Sequence, residues 1–189
     1  THIDEIAVHN AVLEVPQKQK ESPPARFTIH ELILTPVSSD KPLHFSAALS
    51  IPQPPGEVTG TGQFGPWRDL QTPVGGDYSF EKANLGKFAG IAGILSSQGK
   101  FGGTLQHIDV DGKISIPEFE VKSGEHKVAL SSEFAAYVDG ANGDTFLTRV
   151  SSHFLKTTVQ SKGKVAGIPG HPGKTATIDL ESRNGRIED

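Results

Sequence analysis

The chain contains no cysteine and no methionine, and little aromatic side chain. Without cysteine there is no disulfide framework, no thiolate metal site and no thiol nucleophile. Basic charge is also scarce. Lys and Arg number 18 against 22 Asp and Glu, a net charge of −4. Nothing in that balance suits a nucleic-acid partner. The charges are scattered, and the densest spot, Lys18-Gln19-Lys20-Glu21, reads as a solvated loop. No apolar run reaches the roughly 18 residues that a membrane helix needs, and no signal-peptide pattern opens the chain. The chain begins on Thr1 in a strand-like stretch, which reads as a fragment of a longer protein whose targeting or anchoring segment lies outside it.

What is abundant is glycine and proline. Gly (21) and Pro (13) together make up nearly a fifth of the 189 residues, against an average near 12%. Neither residue suits a helix interior, so the excess points to strands and turns. The Gly-rich middle carries this rhythm most clearly, in Gly62-Gln63-Phe64-Gly65-Pro66-Trp67, Thr72 to Phe80 and Phe88 to Gly103. It contains no reacting group, and it turns the question from a reaction to a surface.

Period-two alternation supplies the strands. Leu43, Phe45, Ala47, Leu49 and Ile51 alternate cleanly with polar or small residues and end at Pro52. Phe27 to Leu34 is a strand that stops before Pro36. Residues 1–15 alternate loosely, and Pro16 to Pro24 reads as a loop. Gly86, Gly90 and Gly93 argue against a helix at Phe88 to Leu95, so strands are expected, joined near Ser97-Gln98-Gly99. Phe101, Gly103 and Leu105 share one parity while Ile108 and Val110 take the other, so a bulge is expected at Gln106-His107. Asp111-Gly112 is expected to turn a hairpin into Ile114 and Ile116, and Pro117 to impose an irregularity before Phe119. Val128 to Val138 alternates again. Residues 144–162 permit a helix or a strand, with Thr, Ser and Val favouring strand. Gly163 to Gly173 is loop-like, and Thr175 to Leu180 closes as a strand. The expectation is an all-β chain of ten to twelve short strands in one domain, with little helix. A sandwich and an elongated curved sheet both remain open.

Three stretches imitate chemical motifs. Asp109, Asp111, Gly112 and Glu118 match positions 3, 5, 6 and 12 of a calcium loop, but His107 occupies position 1 and Pro117 stands where a helix should begin. Gly167 to Thr175 imitates a phosphate loop with one residue too many and a strand-like sequel. Asp139 to Thr145 offers three oxygen side chains but reads as a turn-rich connection. The eight histidines form no metal-ligand spacing, and no Gly-x-Ser-x-Gly elbow occurs. The reading is of no enzyme, no catalytic residue, no metal and no cofactor.

From about Phe27 to Asp189 the chain resembles the C-terminal AsmA-like region of bacterial envelope proteins, as found in very long members of that family. The resemblance rests on Leu43-His44-Phe45, Gly62 to Trp67, Thr72 to Phe80, Ala83-Asn84-Leu85 and Gly90 to Ser97. It continues through Gly99-Lys100-Phe101, Ile108 to Gly112, Pro117-Glu118-Phe119, Val138-Asp139-Gly140, Asn142 to Thr145 and Gly185 to Asp189. Residues 1–26 carry least of it. The resemblance implies a single AsmA-like domain over 1–189 and a repetitive sheet curled into an apolar groove, or half-barrel. It implies a periplasmic place, with an inner-membrane anchor outside this fragment. It also implies a non-enzymatic role in moving phospholipid or another envelope lipid and in outer-membrane assembly. A strand with one apolar face can line such a groove, each buried methylene contributing about 0.8 kcal/mol. Candidate lining residues are Phe45, Leu49, Phe88, Ile91, Phe101, Leu105, Ile108, Val110, Ile114, Ile116, Val128, Leu130 and Phe134. The rival reading is a structural or adhesive β module that binds protein through its edges, since a long sheet with open edges invites self-association.

Overall fold

Alternation decides this fold, because side chains on a strand point to opposite faces in turn. The computed structural model describes residues 2–15, 24–38, 40–52, 54–124, 126–167 and 174–183. Among them the strands run, in chain order, β1 (His2–Ile3), β2 (Ile6–Val15), β3 (Ala25–Thr35), β4 (Val37–Ser38), β5 (Leu43–Pro52), β6 (Pro55–Phe64) and β7 (Pro73–Asn84). After a short 3-10 turn (Leu85–Lys87) come β8 (Ile91–Ala92), β9 (Ile94–Thr104), β10 (His107–Val121), β11 (Lys127–Val138), β12 (Thr145–Phe154), β13 (Thr157–Gly167) and β14 (Lys174–Arg183).

The chain is all-β. Eleven long strands form one antiparallel meander in the order β14-β13-β12-β11-β10-β9-β7-β6-β5-β3-β2, with β8 added beside β10. Among the described residues the sheet is open: β2 and β14 each have one neighbour, and no pairing joins them. β1 and β4 form a separate small pair. The molecule exposes 12437 Å², whereas a compact monomer of its mass exposes about 8,700 Å². That surplus is what a single layer of sheet without a covering layer produces.

Long strands replace several expected turns. Asp111-Gly112 is not a hairpin turn but the middle of β10. Gly112 is needed there for space: a Cβ on it would meet the Tyr78 hydroxyl and lie 2.8 Å from the Phe134 ring. Ser97-Gln98-Gly99 is likewise interior to β9, and the break falls instead at Leu85 to Gly93. The bulge expected at Gln106-His107 is a two-residue hairpin, Leu105-Gln106, with Thr104 facing His107. Parity changes there because the chain reverses. Residues 145–167 are two strands, β12 and β13, divided at Leu155-Lys156, where Leu155 adopts φ 50°. The irregularity at Pro117 is present, between Ile116 and Phe119. Of the stretch Gly163 to Gly173, expected as a loop, Gly163 to Gly167 instead continues β13 and pairs with β14, because the glycine at 163 sits where a Cβ would meet the Thr177 carbonyl across the ladder. Residues 168–173 lie outside the described residues, as do 16–23 of the loop expected over Pro16 to Pro24.

Candidate functional site

The register sorts the side chains into two unlike faces. One row crosses the sheet as Phe45, Gly62, Gly76, Phe101, Val110, Ala136 and Leu147. The next runs Ala47, Gly60, Tyr78, Gly99, Gly112, Phe134, Val150, Ser161 and Leu180. A third runs Leu49, Val58, Phe80, Ser97, Ile114, Ser132, Ser152 and Val159. None of these residues carries a charge. Toward the β2 edge the same face continues with Leu34 and Ile6, and with Leu32 and Val8.

The opposite face is its complement. One of its rows reads Ser79, Gln98, Lys113, Glu133, Ser151, Gln160 and Glu181. Ion pairs stud it: Lys113–Glu133 at 2.9 Å, Lys82–Glu57 at 3.0 Å and Lys100–Asp77 at 3.9 Å. All are exposed, so each contributes little to stability. The Glu133 carboxyl is held below the usual carboxylate range, first by its hydrogen bond from Lys113 and then by that ammonium's charge. Lys127 is raised, first by its hydrogen bond to Glu118. Asp40 is lowered, first by its hydrogen bond from Ser38. These shifts come from exposed pairs and not from a desolvated pocket.

The uncharged face is neither core nor bare surface. Most of it is half-buried, and the fully buried apolar residues among those described are Ala83, Leu85, Ile116 and Ala136. Four of its hydroxyls pair with one another, Tyr78 with Ser97 at 3.1 Å and Ser132 with Ser152 at 2.8 Å. A hydroxyl so paired costs little in an apolar setting. The face is also concave. Phe45 and Phe101 sit three strand spacings apart, about 14 Å in a flat sheet, yet their ring centroids are 6.3 Å apart. Gly62 and Gly76 lie beneath them and permit the fold: a Cβ on Gly62 would lie 2.9 Å from the Gly76 Cα, and one on Gly76 would lie 2.8 Å from the Gly62 Cα. Gly99 and Gly112 repeat the arrangement under Tyr78 and Phe134.

Ten of the sequence-derived lining candidates fall on this face: Phe45, Leu49, Phe101, Ile108, Val110, Ile114, Ile116, Val128, Leu130 and Phe134. Ile91 lies on β8 opposite Val121. Phe88 follows the 3-10 turn and is exposed, and Leu105 sits in the β9–β10 hairpin, so neither belongs to a long strand. Sequence reasoning passed over Val58, Phe64, Tyr78, Phe80 and Val150. For Tyr78 and Phe80 the signal was present in Val74-Gly75-Gly76-Asp77-Tyr78-Ser79-Phe80, where every second residue is apolar or Gly.

The motif imitations dissolve in the geometry. Asp109 and Asp111 lie two apart on an extended strand, where their carboxylates cannot curl around one point. Lys174 and Thr175 begin a strand rather than a helix. Asp139 to Asp144 closes on itself: the Asp139 carboxylate accepts from the Ala141 N–H and the Asn142 amide, and Asn142 Oδ1 accepts from the Asp144 N–H. On the polar face His107, Tyr137 and Phe146 stack at 4.4 and 4.5 Å, tying β10, β11 and β12 together. Comparison with protein-family models, curated proteins and solved structures returned no match to the chain.

Proposed function

We propose that this chain is a length of apolar trough that shields the acyl chains of phospholipid, or of another envelope lipid, and that it works without catalysis. The observation that carries the reading is the concave, uncharged face: three rows without a charge, half-buried, and covered by no second layer among the described residues. A soluble domain would normally cover such a face, because apolar patches beyond a few hundred Å² mark a binding surface. An extended acyl chain needs apolar area rather than a shaped pocket, and a row of mixed Phe, Val, Ile and Gly offers that. The reading accords with the AsmA-like resemblance, and with it a periplasmic place and an anchor elsewhere in a longer protein.

The rival reading, a module that binds protein through its edges, draws on Leu180 and Ile178 at the β14 edge, 72% and 52% exposed. Native mass spectrometry of gently purified protein, with lipid extraction in parallel, separates the two. Bound phospholipid that is lost in Phe101→Asp or Ile114→Asp supports the trough. A clean apo mass that takes up no added phospholipid sinks it and leaves the edges as the working surface.

A further inference from the structure

The connection between β6 and β7, residues 65–72, is pinned from both sides. Gly65 N–H donates to the Pro73 carbonyl at 2.9 Å, and Gln71 N–H to that of Arg68 at 2.9 Å. Thr72 is completely buried. Its hydroxyl accepts from the Arg68 N–H and donates to the Asp69 carbonyl, both at 2.7 Å. The neighbouring hairpin locks on from outside: Leu105 N–H donates to the Thr72 carbonyl at 3.0 Å and Gln106 N–H to that of Leu70 at 2.8 Å. The Asp139–Asp144 turn closes over the same hairpin, with Gly140 packed against the Leu105 carbonyl.

This rigid seat presents apolar groups to solvent. Trp67, the one tryptophan of the chain, is 63% exposed, and Leu70 is 44% exposed. Solvent-facing rings contribute little to folding, so the stability of the loop does not account for them. Trp67 also touches Phe64, ring centroids 5.9 Å apart, and Phe64 lies between Leu43 and Val74 on the uncharged face. Through this ring contact Trp67 adjoins the concave face. Arg68 and Asp69 beside it supply one cation and one anion.

We propose that this loop is a membrane-interface anchor, with Trp67 and Leu70 seated at the headgroup level of a phospholipid bilayer. Indole, apolar in body and polar at its N–H, partitions to that depth. The balanced Arg68-Asp69 pair suits a zwitterionic headgroup layer better than a strongly anionic one. That lipid would then pass over Phe64 into the concave face rests on the trough reading; the seating itself does not.

Because Trp67 is the sole tryptophan, its emission reports this loop alone. With phosphatidylcholine vesicles the emission is expected to move to shorter wavelength and to be quenched by brominated acyl chains, and the protein to co-sediment with the vesicles. Trp67→Ala is expected to abolish co-sedimentation, and Leu70→Asp to abolish both the shift and co-sedimentation with the tryptophan intact. Unchanged emission on vesicle addition overturns the proposal, as does co-sedimentation that survives both substitutions. Uptake of a monomeric short-chain phosphatidylcholine, followed by native mass spectrometry, keeps the two ideas apart. Uptake without a vesicle-induced shift removes the anchor and keeps the trough; a shift without uptake does the reverse.

Discussion

The rings of Phe45 and Phe101 meet although two strands lie between them. They meet because Gly62 and Gly76, directly paired between those rings, have no Cβ to hold the neighbouring backbones apart. The pair is therefore a crease in the sheet, and the concavity of the uncharged face depends on it. Gly76→Val is expected to lower unfolding stability by about 2 kcal/mol or more, as overpacking against backbone does. Gly167→Ala, where an added Cβ meets nothing within 4 Å, is expected to stay within about 0.5 kcal/mol of the parent. Urea unfolding followed by circular dichroism measures both. Equal effects at the two sites would mean that no crease exists.

Burial along the uncharged face is uneven, and that unevenness is testable. Ile116 is 3% exposed and Leu180 is 72% exposed, though both lie on the same face. Ile116→Ala is expected to cost about 2–4 kcal/mol, and Leu180→Ala about 0.5 kcal/mol or less. A large cost at Leu180 in the same unfolding experiment would reveal a layer covering this face, contrary to the open sheet.

Much of this was legible in the sequence. The run Leu43 to Ile51 became β5 within a residue of its expected end, and Pro117 gave its bulge, because alternation and missing N–H donors act locally. Turns were less legible. Asp111-Gly112 and Gln98-Gly99 carry turn residues, yet the glycines serve close approach across strands, under Tyr78 and Phe134. The actual hairpin at Leu105-Gln106 carries no turn residue at all; the Leu70 and Thr72 carbonyls hold it, and those contacts are tertiary. Leu155, in the left-handed region between β12 and β13, gave no signal either. For the same reason the uncharged face was legible strand by strand but its continuity was not, since continuity depends on register.

The polar face makes a pH-dependent prediction. Glu133 titrates below its ordinary value in the folded chain, chiefly through Lys113. Its folded value is lowered, so its stabilising contribution is present above the unfolded value and fades as pH falls through the folded one. Lys113→Ala is expected to return the Glu133 titration to the ordinary carboxylate range, followed by NMR of the side-chain carboxyl. High salt is expected to weaken the shift in the parent protein, because the pair is exposed. A titration that does not move in Lys113→Ala would assign the shift elsewhere.

The central claim is that the uncharged face, and not the polar one, meets acyl chains. Photo-crosslinking tests it most directly. A benzophenone side chain placed at Ile108, Ile114 or Leu130 faces the trough, and one placed at Lys113 or Ser131 faces away. After irradiation with phospholipid, adducts are expected at the first three positions and absent from the other two. Equal labelling of both faces, or labelling confined to Lys113 and Ser131, would contradict the account.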